Sequence, residues 1–260
     1  MVTTKLMMKK KISGSIFLLF LAFVPGKAFS QQLDTDSSIR TTAIKNVINL
    51  FNEEVAGNSH LFNAPEHRGY MRPAIGHPYF LSEEFRTGKL YYDGILYENI
   101  PLMYDLTKDN LVSVQFVKDS SLRYRSIFKM DLIRDKTGAF SIPGHDFVKI
   151  ETDTNTSSMK PGFYELLYNG KPKVLVRRSK VLVEEIKDRD LIRRYDSSNV
   201  YYILKEGIYY NIRNKNAVLD LFKDKRREVS AYISKNRWKF RKQRETLITE
   251  ATRYYDQLTN

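Results

Sequence analysis

Cysteine is absent from all 260 residues. That excludes disulfides, a thiolate nucleophile, cysteine-ligated zinc and the acylated cysteine of a lipoprotein. Tryptophan occurs once and histidine four times, so any imidazole chemistry has few residues to draw on. Neither G-x-x-x-x-G-K-[ST] nor G-x-G-x-x-G is found, which removes the commonest phosphate-cradling loops. A G-x-S-x-G elbow is also missing, so a hydrolase of that type is not indicated. Long apolar runs are lacking too. IFLLFLAFV at 16–24 has nine residues, whereas a membrane-crossing helix needs about 20.

That short run sits in a recognisable setting. Lys5, Lys9, Lys10 and Lys11 precede it, Pro25-Gly26 breaks it, and Ala28 and Ser30 place small residues before Gln31. The pattern predicts a signal peptide over 1–30, cleaved after Ser30, and export to the periplasm or beyond. Residues 31–260 are then expected to form a single domain with no transmembrane segment. Hydrophobic residues make up 42% of the chain and aromatics 13%, which excludes wholesale disorder. Seventeen tyrosines suit strands with one accessible face.

The formal charge of +13 is unevenly spread. Five lysines and no acids fall in 1–30, which leaves +8 for the rest. Residues 223–244 alone hold ten Lys or Arg against two acids, also +8. The remaining mature chain is neutral, so the basicity is a local C-terminal feature.

A helix is expected over 39–55, where Ile44, Val47, Ile48, Phe51 and Val55 share one face. From 88 to 212 the pattern turns to strands. Asp93-Gly94, Asn169-Gly170 and Glu206-Gly207 each separate two apolar, tyrosine-rich runs and predict hairpins. Their uneven intervals argue against a propeller or solenoid. Short connections leave no room for crossover helices, so the sheet should be antiparallel. The segment 214–260 reads as helical. One helix is expected at 217–233, interrupted by KDKRRE, and another at 243–258. The predicted fold is α+β: a strongly curved or barrel-like antiparallel sheet, an N-terminal helix, and C-terminal helices packed on it.

The stretches HLFNAPE, GHPYF, GKLYYDGILYENIPLMYDLTKDNLV, GFYELLYNG, YYNIRNKNAVLDLFKDKRREVSAYISKN and YYDQL carry a resemblance. In order and spacing the chain resembles a group of exported, β-rich proteins of Gram-negative bacteria with no established activity. The resemblance implies export and a β-rich body with C-terminal helices. Its motifs are hairpin and packing patterns, so it implies no catalytic residues and no cofactor.

Two stretches are candidate sites. His60, His67 and His77 lie within 58–80 and could supply three imidazoles to a metal. Their spacings of seven and ten residues cross prolines and a glycine, so only the tertiary fold could bring them together. The alternative is a segment that leads the chain onto the sheet, with each imidazole bonded to backbone. In NRWKFRKQR, Trp238 and Phe240 alternate with Arg237, Lys239 and Arg241, and Lys242 follows. If extended, this tract has an aromatic face and a cationic face, suited to an anionic polymer. The competing reading is a connector whose aromatics pack inward while its charges stay solvated.

His145, beside Asp146, reads as a loop histidine, and the 152–162 stretch as a polar turn without the glycine and final acid of a calcium loop. Glu83-Glu84 and Glu184-Glu185 are neighbours that point to opposite faces if extended. These features predict a non-catalytic envelope protein whose partner is another envelope protein or an anionic polymer, not cytoplasmic nucleic acid. The alternatives are a carrier of a lipophilic ligand inside a curved sheet and a histidine-dependent metalloenzyme.

Overall fold

A computed structural model describes residues 64–70, 73–118, 124–151 and 159–259. The expected signal peptide, the expected helix over 39–55, His60 and most of the 152–162 turn lie outside them. The strands are β1 (Arg86–Tyr92), β2 (Ile95–Asp105), β3 (Asn110–Lys118), β4 (Tyr124–Asp131), β5 (Thr137–Ile142), β6 (His145–Ile150), β7 (Gly162–Asn169), β8 (Lys173–Lys187), β9 (Asp190–Lys205) and β10 (Ile208–Asn211). They form one antiparallel sheet in the order β10-β9-β8-β7-β6-β5-β1-β2-β3-β4. Two meanders, β1–β4 and β5–β10, are joined by the pairing of β1 with β5.

Turn chemistry accounts for two of the three expected hairpins. Asp93 and Gly94 have φ of 52° and 82°, and Glu206 and Gly207 have 53° and 80°. Both are two-residue turns whose twist matches the flanking strands. The third differs. Asn169 pairs with Lys173, so residues 170–172 make the turn. Gly170 is required there for space, because a Cβ would run into the Asp256 carboxylate and the Tyr168 ring. A further hairpin, β8–β9, carries the longest strands, 15 and 16 residues. Its turn uses Asp188 and Arg189 at φ 52° and 72°. Without glycine, that turn left no signal in the sequence.

The helices are α1 (Lys215–Leu221), α2 (Arg226–Lys235) and α3 (Arg244–Thr259). Asn214 caps α1, its side chain accepting a hydrogen bond from Ala217 N at 2.9 Å. The expected helix over 217–233 is instead two, because KDKRRE contributes a turn of 3-10 helix at Lys223–Lys225. Among the described residues no helix is long and apolar enough to cross a membrane.

Two apolar clusters divide the core. In the first, Leu90 and Tyr92 of β1, Leu102 and Tyr104 of β2, and Phe140, Phe147 and Phe163 from β5, β6 and β7 pack together. In the second, Val174, Val176, Tyr201 and Ile203 support Phe222, Val229, Ile233, Leu247, Ile248 and Tyr255. Phe222 and Tyr255 stack with centroids 4.0 Å apart. Each large side chain removed from water contributes about 1.5–3 kcal/mol. The expected antiparallel α+β architecture with C-terminal helices is therefore present.

Candidate functional site

The histidine segment runs along three strands. Glu66 bridges Met130 of β4, with His67 N donating to Lys129 O at 2.9 Å. Ile75 bridges Arg194 of β9, with Ile75 N donating to Arg193 O at 2.8 Å. Phe80 N donates to Tyr104 O of β2, also at 2.8 Å. Lys180 secures the last part, its ammonium donating to the carbonyls of His77 and Tyr79 at 2.8 Å each. Burial lowers the pKa of that lysine.

His67 is buried, and both of its ring nitrogens are engaged. Nδ1 lies 2.7 Å from Asp131 Oδ1, and Nε2 lies 3.0 Å from the Tyr79 hydroxyl. A carboxylate only accepts, so Nδ1 carries the proton and, in the neutral imidazole, Nε2 accepts from the phenol. Burial, reinforced by Asp105, Glu83 and Asp131, pushes the Tyr79 phenol up to about 12. His77 is half-buried. Burial lowers its pKa, and the neighbouring Lys180 lowers it further. Its ring lies 6.4 Å from Tyr79, roughly parallel to it. His67 and His77 thus both neighbour Tyr79, while His60 lies outside the described residues. Among the described residues no group of three His, Asp or Glu is arranged to hold a metal.

Beside this segment lies a cleft of about 390 Å³ lined by Tyr70, Pro73, Tyr79, Glu83 and Tyr195, with Ala74, Gly76 and Pro78. Tyr70 stands nearly perpendicular to Tyr79 (6.4 Å, 80°) and to Tyr195 (5.9 Å, 85°). Its hydroxyl donates to Asp105 Oδ2 at 2.7 Å. Asp105 is fully buried, and its Oδ1 accepts from Thr107 N and Lys108 N at 2.9 and 3.0 Å.

The basic tract is a compact connector between α2 and α3, not an extended strand. Arg237 N donates to Ser234 O at 3.0 Å and Trp238 N to Ile233 O at 3.4 Å. This pair of bonds closes α2, with Arg237 in the left-handed position (φ 55°) that glycine usually fills. Lys242 N and Gln243 N then both donate to Lys239 O, at 3.0 and 2.8 Å. Trp238 and Phe240 are half-buried against the helical core, and Trp238 meets Tyr232 edge-on at 5.5 Å. Arg237, Lys239, Arg241 and Lys242 are exposed. The alternation therefore separates exposed charge from aromatics that pack in part against the helices.

Two of these cations open onto a cleft. Arg241, Lys242, Gln243 and Arg244 line a hollow of about 490 Å³ with Asn199, Tyr201, Glu245 and Thr246. A neighbouring hollow of about 380 Å³ adds Asn211 and Arg213. Among the described residues Arg213, Arg241, Lys242 and Arg244 have no carboxylate within ion-pair distance. The guanidinium of Arg244 instead lies 5.0 Å over the Phe240 ring.

Between the two regions runs a charged seam that the sequence did not announce. His145 opens β6 rather than sitting in a loop, and its Nδ1 bonds to the buried Glu165. Arg178 Nε donates to the other oxygen of Glu165, while its Nη2 donates to Glu245 Oε2 at 3.0 Å. Tyr201 donates to the same oxygen at 3.1 Å. Each carboxylate is thus tied to Arg178, a structural clamp rather than an acid–base pair. Glu184 and Glu185 do diverge, to Arg193 and Arg194 at 2.7 and 2.6 Å. No family model, curated protein or solved structure matches the chain, so the sites are read from their own chemistry.

Proposed function

We propose that the protein is an exported, non-catalytic component of the cell envelope that binds an anionic ligand at the cationic cleft before α3. The observation that carries this reading is the set of Arg213, Arg241, Lys242 and Arg244 around adjoining hollows, none of them ion-paired among the described residues. Elsewhere most arginines at the sheet and helix surfaces have carboxylate partners, as Arg134, Arg193, Arg194, Arg226 and Arg253 do. Cations gathered without partners repel one another, a cost that a bound anion reverses. Asn199, Asn211 and Tyr201 add polar groups, and the first turn of α3 adds backbone N–H groups with a favourable dipole. The charged and polar lining of the hollow that holds Arg241 and Lys242 favours this over carriage of a lipophilic molecule.

A strongly curved, barrel-like sheet belongs to the same reading. Two facts support it. The segment 65–75 pairs with β4 at one end and with β9 at the other. Tyr104 of β2 lies 6.1 Å from Phe163 of β7, although three strands separate them in the sheet order.

The test is retention on immobilised heparin as a polyanionic probe. Binding should weaken by on the order of a hundredfold when salt rises fourfold. It should disappear when Arg213, Arg241, Lys242 and Arg244 are all changed to glutamine. Retention that survives this change would sink the reading.

A further inference from the structure

We propose that the second cleft, lined by Tyr70, Tyr79, Tyr195 and Glu83, is a binding site for a small organic ammonium ion. This inference does not rest on the anion-binding reading: the two clefts share no lining residue.

Three features of the cleft select for a cation. Tyr70 is set almost at right angles to both Tyr79 and Tyr195, so the ring faces, which carry the negative part of the aromatic quadrupole, look in different directions around one space. Two carboxylates lie near it, Asp105 held by hydrogen bonds from Tyr70, Thr107 N and Lys108 N. Glu83 is exposed at the rim, and Asp105 is fully buried behind Tyr70; neither has a cation within ion-pair distance among the described residues. Their field is felt by the phenols: Asp105 disfavours ionisation of all three, and Glu83 that of Tyr79 and Tyr195, in each case added to the effect of burial. Finally, no lysine or arginine among the described residues lines the cleft, in a protein of net charge +13. The nearby ammonium of Lys180 is turned to two backbone carbonyls. Lys108 already shows what the rings accept, its ammonium lying 5.4 Å over the Tyr70 ring.

The same features exclude other guests. An anion would face the Glu83 carboxylate, with Asp105 behind Tyr70, and no lysine or arginine in the lining among the described residues. A metal ion would find one lining carboxylate and phenol faces, and no three-ligand cluster exists among the described residues. The volume of about 390 Å³ is that of a small-molecule site, at the lower end of the roughly 300–1,000 Å³ such sites occupy. An alkylammonium fits because its charge is spread over methylene or methyl groups, which lose little hydration when pressed against rings.

The experiment is calorimetric titration of the intact protein with choline and with its neutral isostere 3,3-dimethylbutan-1-ol. Choline should bind saturably, and the isostere about tenfold more weakly or worse. Tyr195→Leu and Glu83→Gln should each weaken choline about three- to tenfold, while Arg241→Gln should change nothing. Tyr195 has no hydroxyl partner among the described residues and Glu83 is exposed, so neither change should unfold the chain. Should Tyr195→Leu unfold it, Glu83→Gln carries the test alone. Equal binding of the isostere, no saturable binding of choline, or choline affinity unchanged in a folded Glu83→Gln variant would overturn the proposal.

Discussion

The cleft beside the histidine segment and the cleft before α3 are of similar size, about 390 and 490 Å³, yet opposite in chemistry. One gathers phenol rings and a carboxylate; the other gathers arginines and a lysine without ion pairs among the described residues. They also arise differently. Long-range pairing builds the first, as one irregular segment touches β2, β4 and β9 in turn. The charges of the second come from neighbours in sequence, folded into a tight connector by the end of α2 and the start of α3, while Asn199 and Tyr201 of β9 complete its wall. The difference teaches that a run of like residues marks a surface charge directly, whereas a mixed site leaves almost no local trace.

The comparison is sharpest at the seam between the two regions. Replacing the buried Glu165 by alanine leaves the half-buried Arg178 side chain with one carboxylate partner instead of two and removes the acceptor of His145. We expect a loss of about 3–5 kcal/mol in denaturant unfolding. A loss below about 1 kcal/mol would mean the seam is not a clamp. Next in size is the salt response. Polyanion binding should fall on the order of a hundredfold for a fourfold rise in salt, and choline binding far less, because it engages few charges. Equal salt slopes would erase the distinction between the clefts.

On the histidine side, Asp131→Ala removes the acceptor of the His67 Nδ1 proton. A buried donor left unsatisfied costs about 1–3 kcal/mol, and the polyanion site should not respond. Alkali should also act on this side. Tyr79 is raised to about 12 from 10.0, so the folded state holds the phenol proton more tightly than the unfolded chain. The stability this gives is complete below pH 10 and is lost as pH rises through 12. Tyrosinate absorbance in Tyr79→Phe, compared with the parent, should show one late-titrating phenol fewer, since Tyr70 and Tyr104 are raised as well. The smallest effect is expected at Arg237→Gly. Relief of a left-handed conformation, partly offset by the flexibility of glycine in the unfolded chain, should raise stability by less than about 1 kcal/mol. A loss of stability would show that the arginine side chain matters more to the connector than its backbone.

How much was legible follows from range. Strand alternation, the Asp-Gly and Glu-Gly turns and the amphipathic stripe of α3 are encoded within a few residues, and they appear where expected. The β8–β9 hairpin was not legible, because Asp188 and Arg189 make a turn without glycine. Nor was the division of 217–233 into two helices. For the sites, the basic tract was visible as charge, but its companions Arg213, Asn199 and Tyr201 come from β9 and the region after β10. The histidines marked the segment that borders the tyrosine cleft, and His60 lies outside the described residues. His67 is satisfied by Asp131 and Tyr79, and the cleft belongs to tyrosines that lie up to 125 residues apart, from Tyr70 to Tyr195.

By itself, then, the sequence determined the period of most elements, the antiparallel character of the sheet, the absence of thiol chemistry and the placement of net charge. Each of these depends on local geometry or on simple composition. Only the tertiary structure decided that Trp238 and Phe240 face the core, that Asp105 and Glu165 are buried, and that three tyrosines meet. Those outcomes depend on which strands pair, and pairing energies are spread over long-range contacts that no short stretch of chain contains.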